Sequence, residues 1–153
     1  MPLPRGESRV RPWAVLAALM AALLAPCWQA SAQRLPPVSP PVFSTIFFDW
    51  ESSTLKAADM KIVHAAAAEF RRRVSAIGSA HVTVTGHADT SHDNNPSLVL
   101  SFRRAGVVRD ALVADGVPKA AIAIVGKGSS QLLVRTAPGV REPKNRRAEI
   151  VFQ

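Results

Sequence analysis

Residues 43–152 alternate between short runs with a two-residue period and long stretches in which apolar residues recur three and four positions apart. A period of two is typical of a β-strand, and a spacing of three and four is typical of an amphipathic helix. The clearest strand is residues 81–86, where β-branched side chains alternate with other residues. Strands that alternate with helices indicate one sheet covered by helices.

The full pattern predicts an α+β fold with the element order β-α-β-α-β-β, in which a mixed sheet is covered by two main helices. Gly78 is expected to end the first helix, and Asn95-Pro96 is expected to begin the second. Prolines and a glycine make residues 129–145 an irregular crossover. The predicted strands are 43–48, 81–86, 122–125 and 148–152, and the predicted helices are about 55–77 and 95–115.

The first 32 residues carry the three-part pattern of a secretory signal peptide. Three arginines within residues 1–12 precede an uncharged apolar run at 13–25, and small residues lead up to Ala32. The run of 13 residues is shorter than the roughly 20 that span a bilayer as a helix, so we expect cleavage after Ala32. The alternative is a lipoprotein signal with an acylated Cys27. Membrane contact is therefore expected only if Cys27 is lipidated or the signal is not cleaved.

Residues 33–42 contain four prolines, which favours an extended linker before a domain at residues 43–153. A length of 153 residues suits one domain of this kind. Cys27 is the single cysteine of the chain and lies in the segment expected to be removed. The exported domain would then have no disulfide in an oxidising compartment, so its stability must come from its core.

The charge of the chain permits several anionic partners. Lys and Arg number 19 against 11 Asp and Glu, a formal net charge of +8, which suits nucleic acid, lipid head groups or a cell-wall polymer. Tyrosine is absent and aromatic residues are only 6% of the chain, which argues against a base-stacking platform. Export also argues against nucleic acid as a partner.

One arginine interrupts the apolar face of the second predicted helix. At about 100° per residue, Arg104 falls within the inward arc, and a buried guanidinium needs water, a carboxylate or carbonyls in reach. Asp89 follows the strand that ends at Gly86, at the sheet edge where this helix begins. The two residues either form a salt bridge or hold a ligand with one ammonium and one carboxylate. The other residues of the arc are Leu100, Val107, Val108, Ala111 and Leu112.

Three segments in order resemble the OmpA-like C-terminal domain family: GHAD at 86–89, LSFRRA at 100–105 and NRRAEI at 145–150. The opening FFDW at 47–50 is also similar to that family, and the likeness covers residues 44–153. The resemblance implies a periplasmic module, associated with the cell wall, that binds peptidoglycan without catalysis. It implies recognition of the diaminopimelate in the peptide stem.

The same resemblance implies the roles of the site residues. Asp89 of the GHxD segment would hold the ammonium of diaminopimelate, and Arg104 of the LSxxRA segment would hold its carboxylate. Asn145 and Arg147 are the next candidates, as residues that line or support the pocket, whereas Arg146 fits the surface equally well. The expected supporting residues are Gly86, His87 and Ser101.

Four positions depart from the family's usual pattern. Ala88, His92, Ser97 and Ser129 stand where the family commonly has Thr, Gly, Asn and Glu. Ser97 is the departure that bears most on loop geometry and affinity, because its side chain is shorter than an amide.

Other functions find less support in the sequence. Histidines and aspartates near residues 81–93 suggest a zinc site, but no helical histidine pair or companion cysteine accompanies them. No nucleophile with an adjacent base is evident. We therefore expect that the protein is not an enzyme and that it binds neither a cofactor nor a metal. The alternative function is an envelope adaptor that contacts outer-membrane or other envelope proteins.

Overall fold

The computed structural model describes residues 42–153. The expected signal peptide at 1–32 and the linker up to residue 41 lie outside the described residues. The main elements are β1 (Val42–Phe47), α1 (Ala57–Ile77), β2 (Val82–Gly86), α2 (Asn94–Ala114), β3 (Ile122–Gly126) and β4 (Arg147–Phe152). Short 3₁₀ turns at Lys119–Ala121 and Pro143–Asn145 precede β3 and β4.

The four strands form one mixed sheet in the order β1-β4-β2-β3. β2 pairs with β3 in parallel, and β4 is antiparallel to both β1 and β2. The predicted α+β fold with a mixed sheet is therefore confirmed. β1, β2 and β3 all end at the edge where β4 begins, since Phe47 lies opposite Arg147 and Gly86 lies between Gly126 and Ala148.

Both helices contribute to one hydrophobic core with alternate residues of the strands. Val82 and Val84 of β2 and Ile150 of β4 are buried, as the period of two requires. The α1 members of this core are Val63, Ala66, Ala67 and Phe70.

The core contacts of α1 end at Phe70, so the apolar face of this helix is shorter than its apolar pattern predicts. Ile77, in its last turn, is 72% exposed. Gly78 ends the helix as predicted, with a left-handed φ of 82° and an N–H that donates to the Val74 carbonyl at 2.9 Å.

α2 begins at Asn94 with Asp93 as its N-cap, so the predicted N-cap at Asn95 is two residues too late. Residues 129–142 have no strand or helix, as expected for the crossover. Within residues 42–153, neither long helix combines the length and the apolar character that crossing a bilayer requires.

Candidate functional site

The candidate site lies at the sheet edge where three strands end and β4 begins. The chain that leaves β1 supplies Asp49 and Ser52, and the chain that leaves β2 supplies His87 and Asp89. The chain that enters β4 supplies Arg146. Residues far apart in sequence therefore meet here because the parallel direction of β1 and β2 brings their carboxyl ends together.

Arg104 on α2 is fully buried, as its place in the inward arc predicts. Its Nε donates to the Ser52 carbonyl at 2.9 Å, its Nη1 to the His87 carbonyl at 3.0 Å and its Nη2 to the Asp49 carbonyl at 3.2 Å. Burial lowers its pKa to about 10, although the charge of Asp89 acts in the opposite direction. Arg104 therefore remains a cation at neutral pH, solvated by backbone carbonyls.

Asp89 is 3% exposed and accepts hydrogen bonds at both carboxylate oxygens. Oδ1 accepts from the Ser91 hydroxyl at 2.6 Å and from the Ser91 backbone N–H at 3.3 Å. Oδ2 accepts from Arg146 Nη1 at 3.1 Å. Burial would raise the pKa of Asp89, but the hydrogen bonds from Ser91 and Arg146 outweigh it and the pKa lies below its usual value. Asp89 is therefore ionised at neutral pH.

The ion-pair partner of Asp89 is Arg146 rather than Arg104. The interpretation of Arg146 as a surface residue is wrong, because the residue is only 9% exposed and its Nε donates to the Phe48 carbonyl at 3.1 Å. The period of two in β4 gives no signal for this position, because Arg146 precedes the strand and Arg147, which has the opposite parity, is buried as well.

Two cations and one anion share this site. Asp89, Arg104 and Arg146 together carry a net charge of +1, and the charges of Asp89 and Arg146 both act on Arg104. The positive excess is enclosed by protein and is therefore screened less than a surface charge. The site has a favourable electrostatic field for one further anionic group.

Asn145 is fully buried and holds the crossover segment in place. Its Oδ1 accepts from the backbone N–H groups of Leu133 and Val134 at 2.8 Å, and its Nδ2 donates to the Val134 carbonyl at 2.8 Å. This side chain supports the site by fixing the backbone next to it. Direct ligand contact by Asn145 stays a prediction.

Arg147 is 5% exposed and also contacts the crossover. Its Nε donates to Glu149 Oε1 at 2.7 Å, and both terminal nitrogens lie 3.5 Å from the Gln131 carbonyl. Arg146 precedes β4 and contacts Phe48 and Asp89 instead, so the two neighbouring arginines hold different segments of the chain. Direct ligand contact by Arg147 likewise stays a prediction.

Gly86 and Ser101 allow β2 and α2 to approach each other closely. A Cβ atom on Gly86 would lie 1.9 Å from the Ser101 carbonyl oxygen, so no other residue fits without movement of the backbone. The Ser101 hydroxyl donates to the Leu98 carbonyl at 2.7 Å and accepts from the Gly128 N–H at 2.8 Å. Both residues therefore support the site through the packing of the elements that carry it.

His87 is almost fully buried beneath the crossover. Its Nδ1 lies 3.1 Å from the Gln131 carbonyl, which makes Nδ1 the protonated nitrogen of the neutral ring. Nε2 has no hydrogen-bond partner among the described residues and lies 3.7 Å from Glu149 Oε2. Burial and the charge of Arg147 lower the pKa of His87. This residue is therefore neutral at pH 7.

The two loops that surround Arg104 are connected by Trp50, Glu51 and His92. None of these three residues was expected at the ligand site. His92 Nε2 lies 2.8 Å from Glu51 Oε1, and the rings of Trp50 and His92 are stacked with centroids 6.0 Å apart. Glu51 has a left-handed φ of 52°, which non-glycine residues rarely adopt. We call this contact the loop bridge. It holds residues 49–52 against residues 87–93.

The suggested zinc site is not assembled in this part of the chain. Within residues 42–153, no three or more His, Cys, Asp or Glu side chains gather in a way that could hold a metal ion. His81 lies at the start of β2, where its backbone pairs with Gln153, whereas His87 and His92 follow the other end of the strand.

The sequence pattern of the OmpA family matches residues 47–146. The chain belongs to the OmpA family.

Curated relatives share sequence over most of the described region. An outer membrane protein of Gluconacetobacter diazotrophicus is 38% identical over 113 residues, which are 70% of this chain and 29% of that protein. The peptidoglycan-binding protein ArfA of Mycobacterium tuberculosis is 36% identical over 106 residues, which are 69% of this chain and 31% of that protein. The chain thus matches less than a third of the length of these two relatives.

Solved structures show the same fold. The peptidoglycan-associated lipoprotein of Burkholderia pseudomallei aligns with a TM-score of 0.64 at 24% identity and covers 71% of this chain and 89% of that one. The OmpA-like domain of FopA1 from Francisella tularensis aligns with a TM-score of 0.60 at 25% identity and covers 71% and 70% of the two chains.

Proposed function

We propose that this protein binds peptidoglycan non-covalently in the periplasm and that it recognises the diaminopimelate of the peptide stem. The observation that carries the proposal is the buried Arg104 next to the ionised Asp89 at the sheet edge. Membership of the OmpA family and the likeness to a peptidoglycan-binding relative support it. The proposal assigns no catalytic step to the protein.

Arg104 would hold the carboxylate at one end of the diaminopimelate side chain. A guanidinium carries five N–H donors, and carbonyls take three of them. One hydrogen on each terminal nitrogen therefore has no acceptor within residues 42–153. A carboxylate accepts from two such donors at once, which a lysine ammonium cannot offer in the same planar arrangement.

Asp89 would hold the ammonium of the same ligand. Its carboxylate is ionised and already accepts from Ser91 and Arg146. Because a carboxylate has about four acceptor sites, an ammonium can be added without complete loss of these bonds. The net charge of +1 at the unliganded site then favours a ligand that brings its carboxylate as well.

Direct contact requires some movement of the covering loop, since Arg104 and Asp89 are 0% and 3% exposed. The carbonyls of Asp49 and Ser52 cover Arg104, and both belong to the loop that the loop bridge holds. Opening of residues 49–52 is therefore part of the proposed binding step. A substantial minority of complexes show loop rearrangements of this kind on binding.

The proposal is tested by retention on purified peptidoglycan sacculi. Arg104→Lys and Asp89→Asn should each weaken retention about tenfold to a hundredfold, because each removes a charge-assisted contact worth roughly 1.5 to 3 kcal/mol. Arg103→Ala is the matched control, since it removes an exposed arginine from the adjacent position. Circular dichroism would establish that every variant is folded. Folded Arg104→Lys and Asp89→Asn variants that remain on the sacculi like the wild type would refute the proposed site.

One surface favours the alternative function of an envelope adaptor. Leu98, Val99 and Phe102 on α2 are each about half exposed and line a groove beside β3, the edge strand of the sheet. Contiguous apolar surface of this kind marks protein contacts in many proteins. An adaptor that uses this groove would bind its envelope partner equally well after Asp89→Asn, whereas sacculus retention would already be lost.

A further inference from the structure

A second cleft lies near the proposed binding site of Asp89 and Arg104. It has a volume of about 330 Å³ and runs between the end of β1 and the turn that precedes β4. Asp49 and Arg146 line it. The Asp49 carbonyl accepts from Arg104, and Arg146 donates to Asp89. Asp49 and Arg146 therefore connect the cleft to the proposed site, because they contact Arg104 and Asp89.

The side chains of the cleft leave positive charge without a partner. Lys56 is paired with Asp49 at 2.9 Å, so these two charges balance. Lys144 is exposed and has no ion-pair partner in the part of the chain that the structure describes. Arg146 is nine-tenths buried, with Nε and Nη1 engaged, and its Nη2 has no hydrogen bond to any described residue. Lys144 and Arg146 thus provide donors for an anion.

The remaining surface of the cleft is apolar. Phe47 and Pro143 line it, and the ring of Phe47 is 46% exposed. A carboxylate attached to an aliphatic or peptide backbone matches such a cleft better than a small free ion, because it contacts both the cations and the apolar wall.

We propose that this cleft binds a second carboxylate of the stem peptide, that of the acidic residue next to diaminopimelate. This inference rests on the proposed function, since the same ligand would extend from Asp89 and Arg104 past Arg146 to Lys144. Amidation of that acidic residue removes the charge, so the cleft makes the protein selective for stem peptides that are not amidated. Lys144 is the residue that determines this selectivity.

The test compares three ligands on the purified full chain by isothermal titration calorimetry. They are free meso-diaminopimelate, the tripeptide L-Ala–γ-D-Glu–diaminopimelate, and the same tripeptide with the glutamate carboxylate amidated. The wild type should bind the acidic tripeptide about tenfold more tightly than the amidated one. Lys144→Ala should abolish this difference and leave the affinity for free diaminopimelate unchanged.

Lys119→Ala is the matched control. Lys119 lies just before the start of β3, at the end of the sheet away from the cleft, and its loss changes the net charge by the same amount. It should keep the tenfold preference. Two results would overturn the cleft assignment and leave the proposed function intact. One is equal affinity of the wild type for both tripeptides, and the other is a preference for the acidic tripeptide that persists in Lys144→Ala. If the wild type binds none of the three ligands, the proposed function is overturned as well.

Discussion

At Gly86 the absence of a side chain decides whether β2 and α2 can pack. The Ser101 carbonyl occupies the place where a Cβ would stand, and the same glycine pairs with Gly126 and Ala148 in the sheet. β2 is held between β4 and β3, and α2 carries the buried Arg104, so a shift of either element would disturb other contacts. The glycine therefore supports the site through sterics rather than through a contact with any ligand.

We expect Gly86→Ala to lower the free energy of unfolding by roughly 3 kcal/mol or more, because the added methyl group overpacks a backbone contact. Gly106→Ala is the matched change on α2, where a Cβ meets nothing within 4 Å. It should raise stability by roughly 0.5–1 kcal/mol through helix propensity. Urea denaturation of the two variants measures both effects. A Gly86→Ala variant as stable as the wild type would show that the helix and strand are not in this close contact.

At the scale of elements, the two loops around Arg104 form one unit. Carbonyls from both loops accept hydrogen bonds from the Arg104 guanidinium. The loop bridge adds the contact of Glu51 with His92 and the stacking of Trp50 on His92. Since non-glycine residues with positive φ persist only where the surroundings hold them, the backbone at Glu51 depends on these contacts. We therefore expect the loop bridge to restrain the opening of residues 49–52.

His92→Ala should make residues 49–52 open more often. Loss of the Glu51 contact and of one aromatic contact together removes roughly 1–2 kcal/mol, which corresponds to an about 5- to 30-fold larger equilibrium constant for opening. Hydrogen exchange of the Ser52 amide, which donates to the Asp49 carbonyl at 3.2 Å, reports this opening.

His64→Ala is the control for this experiment, because it removes a histidine paired with Asp115 at 2.9 Å on a different part of the molecule. Exchange of the Ser52 amide should be unchanged in that variant. Similar exchange of this amide in His92→Ala and in the wild type would mean that the loop bridge does not restrain the loop.

At the scale of the whole molecule, one core supports every residue of the candidate site. The core cluster joins both helices to all four strands. The crossover lies outside this cluster and is held by polar contacts, among them those of Asn145, Arg147, His87 and Thr90. No cysteine lies within residues 42–153, so disulfides contribute nothing to this part of the chain. Stability therefore depends on packing and on the protonation of the few buried polar groups.

The buried His87 makes the stability of the whole domain depend on pH. Its pKa is lower in the folded protein than the value near 6.5 of an unfolded chain, so below about pH 6.5 the unfolded state binds the proton more readily. Stability should therefore fall as the pH is lowered from 7 to 5, by at most about 1.4 kcal/mol per pH unit from this one residue. His87→Asn, which keeps a donor towards the Gln131 carbonyl, should show a shallower fall. Urea denaturation at pH 7, 6 and 5 gives both slopes, and equal slopes would exclude His87 as the cause.

The sequence by itself determined the order of the elements, the helix end at Gly78 and the inward position of Arg104. These features follow from local periodicity and local backbone preferences, which are legible without knowledge of distant residues. The three short motifs also located Asp89 and Arg104 on neighbouring elements. The apolar pattern failed at Ile77, since it does not show where along a helix the core ends.

Only the tertiary structure decided which charges pair. Asp89 meets Arg146, 57 residues away, because β4 inserts between β1 and β2 and brings its first residues to the end of β2. His92 meets Glu51, 41 residues away, for the related reason that β1 and β2 end at the same edge. A period of two shows that a segment is a strand, but the neighbour with which it pairs depends on how the whole chain packs.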